Sequence, residues 1–299
     1  LNNAAFTFNP TNCSRSSITG TVHSTQGTET GVSAPFEANG CQDLPFKPSF
    51  TASTAGKASK ENGASLVVKV ASKGGPQTGE EANIKSVKVD LPKQLPSRLT
   101  TLQKACTEAQ FDTNKADCPK DSDIGTATAV TPILAHPLVG PAYLVSHGGA
   151  AFPDLEIILQ GEGVELVLDG QTAIKNGITS STFKTVPDAP ISSFELALHT
   201  GPYSVLGANV PASAKYNLCG QTLSMPTAIT GQNGAVLKQT TKIAITGCAK
   251  VKTKSLTRAQ KLAKALKACK KKPKGKRAKC EKQARKRYGP IKKKRGKKK

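Results

Sequence analysis

Asp154-Leu155-Glu156-Ile157-Ile158-Leu159-Gln160-Gly161-Glu162-Gly163-Val164-Glu165-Leu166-Val167-Leu168-Asp169-Gly170 is the stretch on which the fold turns. Leu155, Ile157 and Leu159 share one face of an extended chain, and Val164, Leu166 and Leu168 share another, the period-2 signature of half-buried strands. Gly161-Glu162-Gly163 between them reads as a hairpin turn. The same alternation returns at Val87, Val89 and Leu91, and at Phe194, Leu196 and Leu198. Glu156, Gln160, Glu165, Asp169, Glu195 and His199 fall on the opposite faces, with Ile158, Val167 and Ala197 as exceptions. Asp169-Gly170, Asn176-Gly177 and Gln232-Asn233-Gly234 add residues tolerant of positive φ. With no Trp and only nine Phe and four Tyr against plentiful Thr, Ser, Gly and Val, the expectation is mainly β: antiparallel, sandwich-like modules with one wetter side to each sheet. One short helix interrupts the pattern over residues 97–111, where Leu99, Leu102, Cys106 and Ala109 repeat at helical spacing.

Eight cysteines, Cys13, Cys41, Cys106, Cys118, Cys219, Cys248, Cys269 and Cys280, include no C-x-x-C, so zinc and thioredoxin-type readings lack their usual spacing. Disulfides are the simpler account, and they imply an oxidising compartment and export to an extracellular or cell-surface location. Taken as sequential pairs they form four local staples, although eight cysteines formally allow about 105 pairings and the sequence selects none. Cys13, Ile18-Thr19-Gly20 and Gly40-Cys41 echo Cys219, Ile229-Thr230-Gly231 and Gly247-Cys248. On that echo, residues 1–46 read as the closing part of an upstream β module and residues 47–249 as a complete one. A start at Leu1 rather than Met fits an upstream segment removed. Residues 124–153 lack Asp, Glu, Lys and Arg, but Pro132, Pro137 and Pro141 rule out a straight membrane-spanning helix there.

Gly40-Cys41-Gln42-Asp43-Leu44-Pro45-Phe46-Lys47-Pro48, Val89-Asp90-Leu91-Pro92-Lys93, Gly140-Pro141-Ala142-Tyr143-Leu144-Val145 and Val186-Pro187-Asp188-Ala189-Pro190, with the Cys-containing, Lys-rich ending, resemble a group of exported β-rich proteins of actinobacterial type. Those proteins often carry tandem modules and a basic tail. The resemblance covers most of residues 40–290 and implies a surface or secreted location; it brings no activity.

Four constellations bear on chemistry. Ser146-His147-Gly148-Gly149 looks like an oxyanion-loop fragment, yet no G-x-S-x-G elbow accompanies it, and a glycine-rich hairpin is the plainer reading. Asp112, Asn114, Asp117, Asp121 and Asp123 could gather oxygens for Ca²⁺, but match no EF-hand loop. Glu156, Glu165 and Glu195 occupy corresponding strand positions where a glycosidase pair would sit, as solvated sheet acids also do. His23, His136, His147 and His199 show no ligand spacing. No residue receives a catalytic, cofactor or metal assignment, and no small-molecule substrate is identified.

Charge carries the functional expectation. Of 43 Lys and Arg residues, 25 lie in residues 250–299, against one acid there, Glu281, while the remainder of the chain holds 18 bases and 19 acids. Residues 250–290 predict a helical hairpin: Ser255 as N-cap, then Leu256, Ala259, Leu262, Ala263, Leu266 and Cys269 on one face. Lys271-Lys272-Pro273-Lys274-Gly275 breaks the first helix, and a second runs from about Arg277 to Tyr288. Its face of Cys280, Ala284 and Tyr288 lets Cys280 meet Cys269, a staple that so polar a hairpin needs. Residues 291–299 read as a disordered basic tail. The residues assigned to polyanion binding are Lys271, Lys272, Lys274, Lys276 and Arg277 at the turn, with Lys292, Lys293, Lys294, Arg295, Lys297, Lys298 and Lys299 beyond it. The expected function is a non-enzymatic, exported structural or adhesive surface protein whose tail binds an anionic cell-wall polymer or acidic membrane surface. Non-specific nucleic-acid binding is the main alternative, since lysines without interleaved aromatics grip phosphates without reading bases; a secreted hydrolase and a merely solvating tail are the others.

Overall fold

The computed structural model describes residues 9–72, 81–249 and 257–289. They fall in two compact units, Leu1–Cys248 and Ala249–Lys299. In chain order the first unit carries β1 (Ser16–His23), β2 (Glu29–Phe36), β3 (Ser49–Ala55), β4 (Leu66–Ala71), β5 (Ile84–Asp90), α1 (Leu99–Leu102), β6 (Cys106–Thr107), α2 (Glu108–Thr113), β7 (Asp123–Val130), β8 (Leu138–Ser146), β9 (Asp154–Gly161), β10 (Val164–Lys175), β11 (Ile178–Phe183), β12 (Ser193–Leu198), β13 (Ser224–Gly231) and β14 (Val236–Thr246). The second unit carries α3 (Arg258–Lys270) and α4 (Lys274–Tyr288).

The quoted stretch is β9 and β10, paired from Gly161 and Val164 down to Leu155 and Gly170. Glu162 and Gly163, at φ 49° and 79°, form the two-residue turn between them, with both residues in the left-handed region as a type I′ hairpin requires. Asn176 and Gly177, at 53° and 74°, repeat the device between β10 and β11. From there the sheet runs β8-β7-β12-β4-β3-β14-β13-β5-β11-β10-β9, and β9 pairs back onto β8. Eleven strands therefore close into a barrel, and the expected sandwich is corrected. Sandwich and barrel share the same in-and-out alternation; what separates them is the β8–β9 ladder from Val139 and Gln160 to Val145 and Asp154, a pairing that leaves no edge at that seam. Gly140 permits it, because a Cβ there would stand 2.0 Å from the Ile158 carbonyl oxygen. All barrel pairings are antiparallel except β14 on β3.

Leu155, Ile157, Leu159, Leu168, Leu196 and Leu198 point inward and are buried, as the alternation predicts. Ile158 points outward yet is buried too, because β6, α2 and the segment after them lie over it. Cys106, Phe111, Cys118, Val145 and Ile158 form a second, smaller core on the outer wall. The single helix expected over residues 97–111 is instead α1, strand β6 and α2. Cys106 pairs with Val145 of β8, and Thr107 opens α2 with a capping box to Gln110, so a new element begins where helical periodicity alone ran on.

All four disulfides join sequential cysteines: Cys13 to Cys41, Cys106 to Cys118, Cys219 to Cys248 and Cys269 to Cys280, at sequence separations of 28, 12, 29 and 11. Both halves of the sequence echo are antiparallel hairpins bracketed by a disulfide, β1–β2 in one case and β13–β14 in the other. Their surroundings differ. β13–β14 is part of the barrel wall and Ile229 is 0% exposed, whereas β1–β2 is a separate two-stranded sheet in which Ile18 is 66% exposed. Ile18, Val22, Val32, Ala34 and Phe36 make an uncovered apolar face on that ribbon. A latch ties the segment before the ribbon to the barrel: the Asp188 carboxylate accepts hydrogen bonds from Thr11 N and Oγ1, Asn12 N and Nδ2, and Asn83 Nδ2, at 2.7 to 3.0 Å.

Candidate functional site

The second unit is a helical hairpin with the expected seam: Cys269 and Ala284 are buried, and Leu262, Leu266, Cys280 and Tyr288 half-buried. Thr257, not Ser255, caps α3, through a capping box with Gln260; Ser255 and Leu256 lie outside the described residues. Pro273 stands immediately before α4, where its missing N–H costs nothing, so this helix begins at Lys274, ahead of the expected Arg277. Arg258 Nε donates to the Gly289 carbonyl at 2.7 Å and fastens the open end, while Arg277 Nε donates to the Lys272 carbonyl at the turn.

Residues 257–289 hold fifteen Lys and Arg against the single acid Glu281, and all fifteen are exposed. Among them are Lys271, Lys272, Lys274, Lys276 and Arg277, brought together at the turn as expected. Two helices of roughly 20 Å presenting such charge repel themselves internally, and the thin apolar seam offsets little of that. The Cys269–Cys280 bridge is therefore the main constraint on the hairpin. Lys292, Lys293, Lys294, Arg295, Lys297, Lys298 and Lys299 lie outside the described residues.

On the barrel, the three acids weighed for hydrolysis do not converge. Glu195 faces Lys69 at 3.8 Å on the β12–β4 wall, and Glu165 accepts from Lys115 Nζ at 2.8 Å. Glu156 pairs across from Asp169, and Glu165 across from Gln160, four residues further along the ladder. That offset is about 13 Å at strand rise, beyond the carboxylate spacing of either glycosidase geometry.

Glu156 belongs instead to a group that the strand pattern concealed. It is 4% exposed on the outer wall, and His147 bridges it to Glu108 of α2, with Nε2 to Glu156 and Nδ1 to Glu108 both at 3.2 Å. Burial raises the Glu156 pKa above the ordinary carboxylate value, and the nearby Asp169 adds to this, against the pull of His147. Burial works the other way on His147, but its two carboxylate partners outweigh it and raise its pKa. His147 thus serves as a clamp between α2 and the wall, and Ser146-His147-Gly148-Gly149 leads from the end of β8 into its hairpin connection to β9, as expected. The other histidines stay apart: His23 meets Glu29, His136 meets Glu162, and His199 lies beside Thr126.

Asp112, Asn114, Asp117, Asp121 and Asp123 are spread over α2, the turns after it and the start of β7, where Asp121 faces Lys104 and Asp123 accepts from Gly125 N. No group of three or more His, Cys, Asp and Glu side chains suited to a metal occurs among the described residues. No helix among them is long and apolar enough to cross a membrane.

No family model, curated protein or solved structure matches the chain. The four disulfides are consistent with an extracellular location.

Proposed function

We propose that this is an exported, non-enzymatic surface protein, structural or adhesive in role, whose basic C-terminal unit attaches it to an anionic cell-wall polymer. The observation that carries the reading is the stapled hairpin: fifteen cations, all exposed, on a scaffold too thinly cored to serve much else. Such a surface attracts a flexible polyanion through a summed field, without a shaped pocket and with steep dependence on salt. The unit offers one aromatic, Tyr288, so stacking on bases contributes little and a polymer of phosphates or carboxylates is the better match.

The test is co-sedimentation of the full chain with purified wall polymer, anionic vesicles and duplex DNA between about 0.05 and 0.5 M salt, where the screening length shrinks severalfold. Binding strongest to wall polymer and lost at the upper salt limit supports the proposal. Preference for DNA would transfer the function to nucleic acid, and salt-resistant binding would move it to a specific site on the barrel. Charge reversal at the turn, with Lys271, Lys272, Lys274, Lys276 and Arg277 all changed to Glu, should weaken wall binding at least tenfold.

A further inference from the structure

The barrel is not filled. Its axis holds a cavity of about 410 Å³, within the range of roughly 300–1,000 Å³ typical of small-molecule sites. The wall is aliphatic, with Val87 and Val89 of β5, Leu155 and Leu159 of β9, and Leu166 and Leu168 of β10 among the residues facing in. A lipid-facing barrel has its apolar band outside and its polar residues within; this one is built the other way, as ligand-holding barrels are.

The two ends differ. One is plugged by the chain around α1: the Arg98 N–H donates to the Val205 carbonyl and the Gly207 N–H to the Pro96 carbonyl, both at 2.8 Å, and Leu102 and Leu206 are buried beneath. The other end is ringed by the loop after β7, the β9–β10 turn and the segment before β12, where Ile133 and Val164 line the space and remain exposed. The cavity is a blind tube with a greasy mouth.

Toward the plugged end, Ser97, Thr172, Thr179 and Ser181 interrupt the aliphatic lining. Ser97 Oγ and Thr179 Oγ1 satisfy one another at 2.8 Å. Ser181 lies two residues along β11 from Thr179, opposite Thr172 of β10 and Val89 of β5. Its Oγ is shut off from solvent and has no hydrogen-bond partner among the described residues. A buried hydroxyl without a partner is costly, and native proteins seldom leave one so. Among the described residues, the only charged one in the lining is Glu165, next to Val164 at the mouth end of β10 and held by Lys115. An ionised group carried to the base of the tube would meet no countercharge there.

We infer that the barrel binds a long-chain aliphatic molecule with an uncharged oxygen function, the chain lying along the tube and the oxygen meeting Ser181 Oγ at its base. This site is independent of the cationic hairpin. It is tested with full-length oxidised protein stripped of bound lipid on a hydrophobic resin, titrated with hexadecan-1-ol, hexadecanoic acid and hexadecane. Calorimetric Tm and displacement of a fluorescent alkyl probe are read at about 0.5 M salt, which screens fatty-acid attraction to the lysines.

The alcohol should raise Tm and displace the probe at one equivalent, binding about five- to tenfold more tightly than the hydrocarbon, the fold-change of one net hydrogen bond. Ser181→Ala should keep or raise the unliganded Tm, because it removes a partnerless hydroxyl, and should bind the alcohol no more tightly than the hydrocarbon. Leu166→Trp, which fills the tube, should abolish binding of all three; if it does not fold, the Ser181→Ala comparison decides. No Tm shift with any probe overturns the site. Tightest binding of the carboxylate, or a preference for the alcohol that survives Ser181→Ala, overturns the assignment of the polar end.

Discussion

Ile18 and Ile229 occupy matching places in two disulfide-bracketed hairpins, and their substitution by Ala separates what a strand pattern implies from what packing does with it. Ile229 is 0% exposed and belongs to the barrel core. Removing three of its carbons forfeits about 2.4 kcal/mol of transfer energy at about 0.8 kcal/mol per methylene. The void left behind adds to this, so Ile229→Ala should cost about 3–4 kcal/mol, inside the usual range for buried Ile→Ala changes. Ile18 is 66% exposed; only about a third of the same burial is at stake, and its loss should stay below about 1 kcal/mol. With no Trp and four Tyr in the chain, tyrosine fluorescence in urea under oxidising conditions reports the barrel, and calorimetry provides a second probe. Ile229→Ala should lower Tm by roughly 6–12 °C for a unit of this size, and Ile18→Ala by no more than 2–3 °C. Equal losses at the two positions would refute the reasoning. A loss at Ile18 that grew with protein concentration would mean that the ribbon's apolar face is covered in solution by another copy.

Three further outcomes follow from particular contacts. Asp188→Ala removes the acceptor of five hydrogen bonds and should cost about 2–3 kcal/mol in urea melts. Burial opposes ionisation of Asp188, but those donors prevail and lower its pKa; stability from the latch is therefore full above the unfolded value and fades as pH falls through the folded one. Replacing Cys269 and Cys280 together by Ser opens a loop of 11 residues worth about 3 kcal/mol in the chain-entropy model; helicity of the second unit by circular dichroism should collapse while the barrel melt is unchanged. The raised pKa values of Glu156 and His147 mean that the folded barrel holds protons that the unfolded chain has released. Stability from these two groups is thus present at low pH and declines as pH rises from about 4.5 through neutrality. His147→Ala, which removes the cation held between Glu108 and Glu156, should cost more at pH 5 than at pH 8; equal cost would discard the coupling.

The strands were legible because side-chain alternation is local. Val87 and Val89, Leu155 to Leu159, Val164 to Leu168 and Phe194 to Leu198 each declare an inner face within a few residues, and Glu162-Gly163 and Asn176-Gly177 mark their turns. Closure was not legible, because the β8–β9 and β14–β3 ladders join segments whose patterns fit an open sheet equally well. Glu156 read as a solvated acid since nothing in β9 says that α2 will lie over it. Ser181 was passed over for a similar reason: Ile178-Thr179-Ser180-Ser181-Thr182-Phe183 is almost wholly polar, and only a closed barrel makes one of its hydroxyls an interior group. The basic hairpin was legible in detail because helical spacing, a Pro break and two cysteines are all short-range signals.

The parallel pairing of β3 with β14 has a mechanical consequence. Ile243 to Thr246 run beside Ala52 to Ala55 in the same direction, so the chain enters the barrel at one end of this pair and leaves at the other. Tension applied between the two sides of the barrel would load those hydrogen bonds in shear, all together, instead of peeling them one at a time. Cys219–Cys248 closes a covalent loop around β13 and β14, which excludes them from any extension. Single-molecule stretching of the oxidised protein should thus give one high-force rupture, and reduction of this bridge should lengthen the released chain by about 100 Å at roughly 3.4 Å per residue. A low-force, stepwise unravelling would show that the load takes another route through the wall.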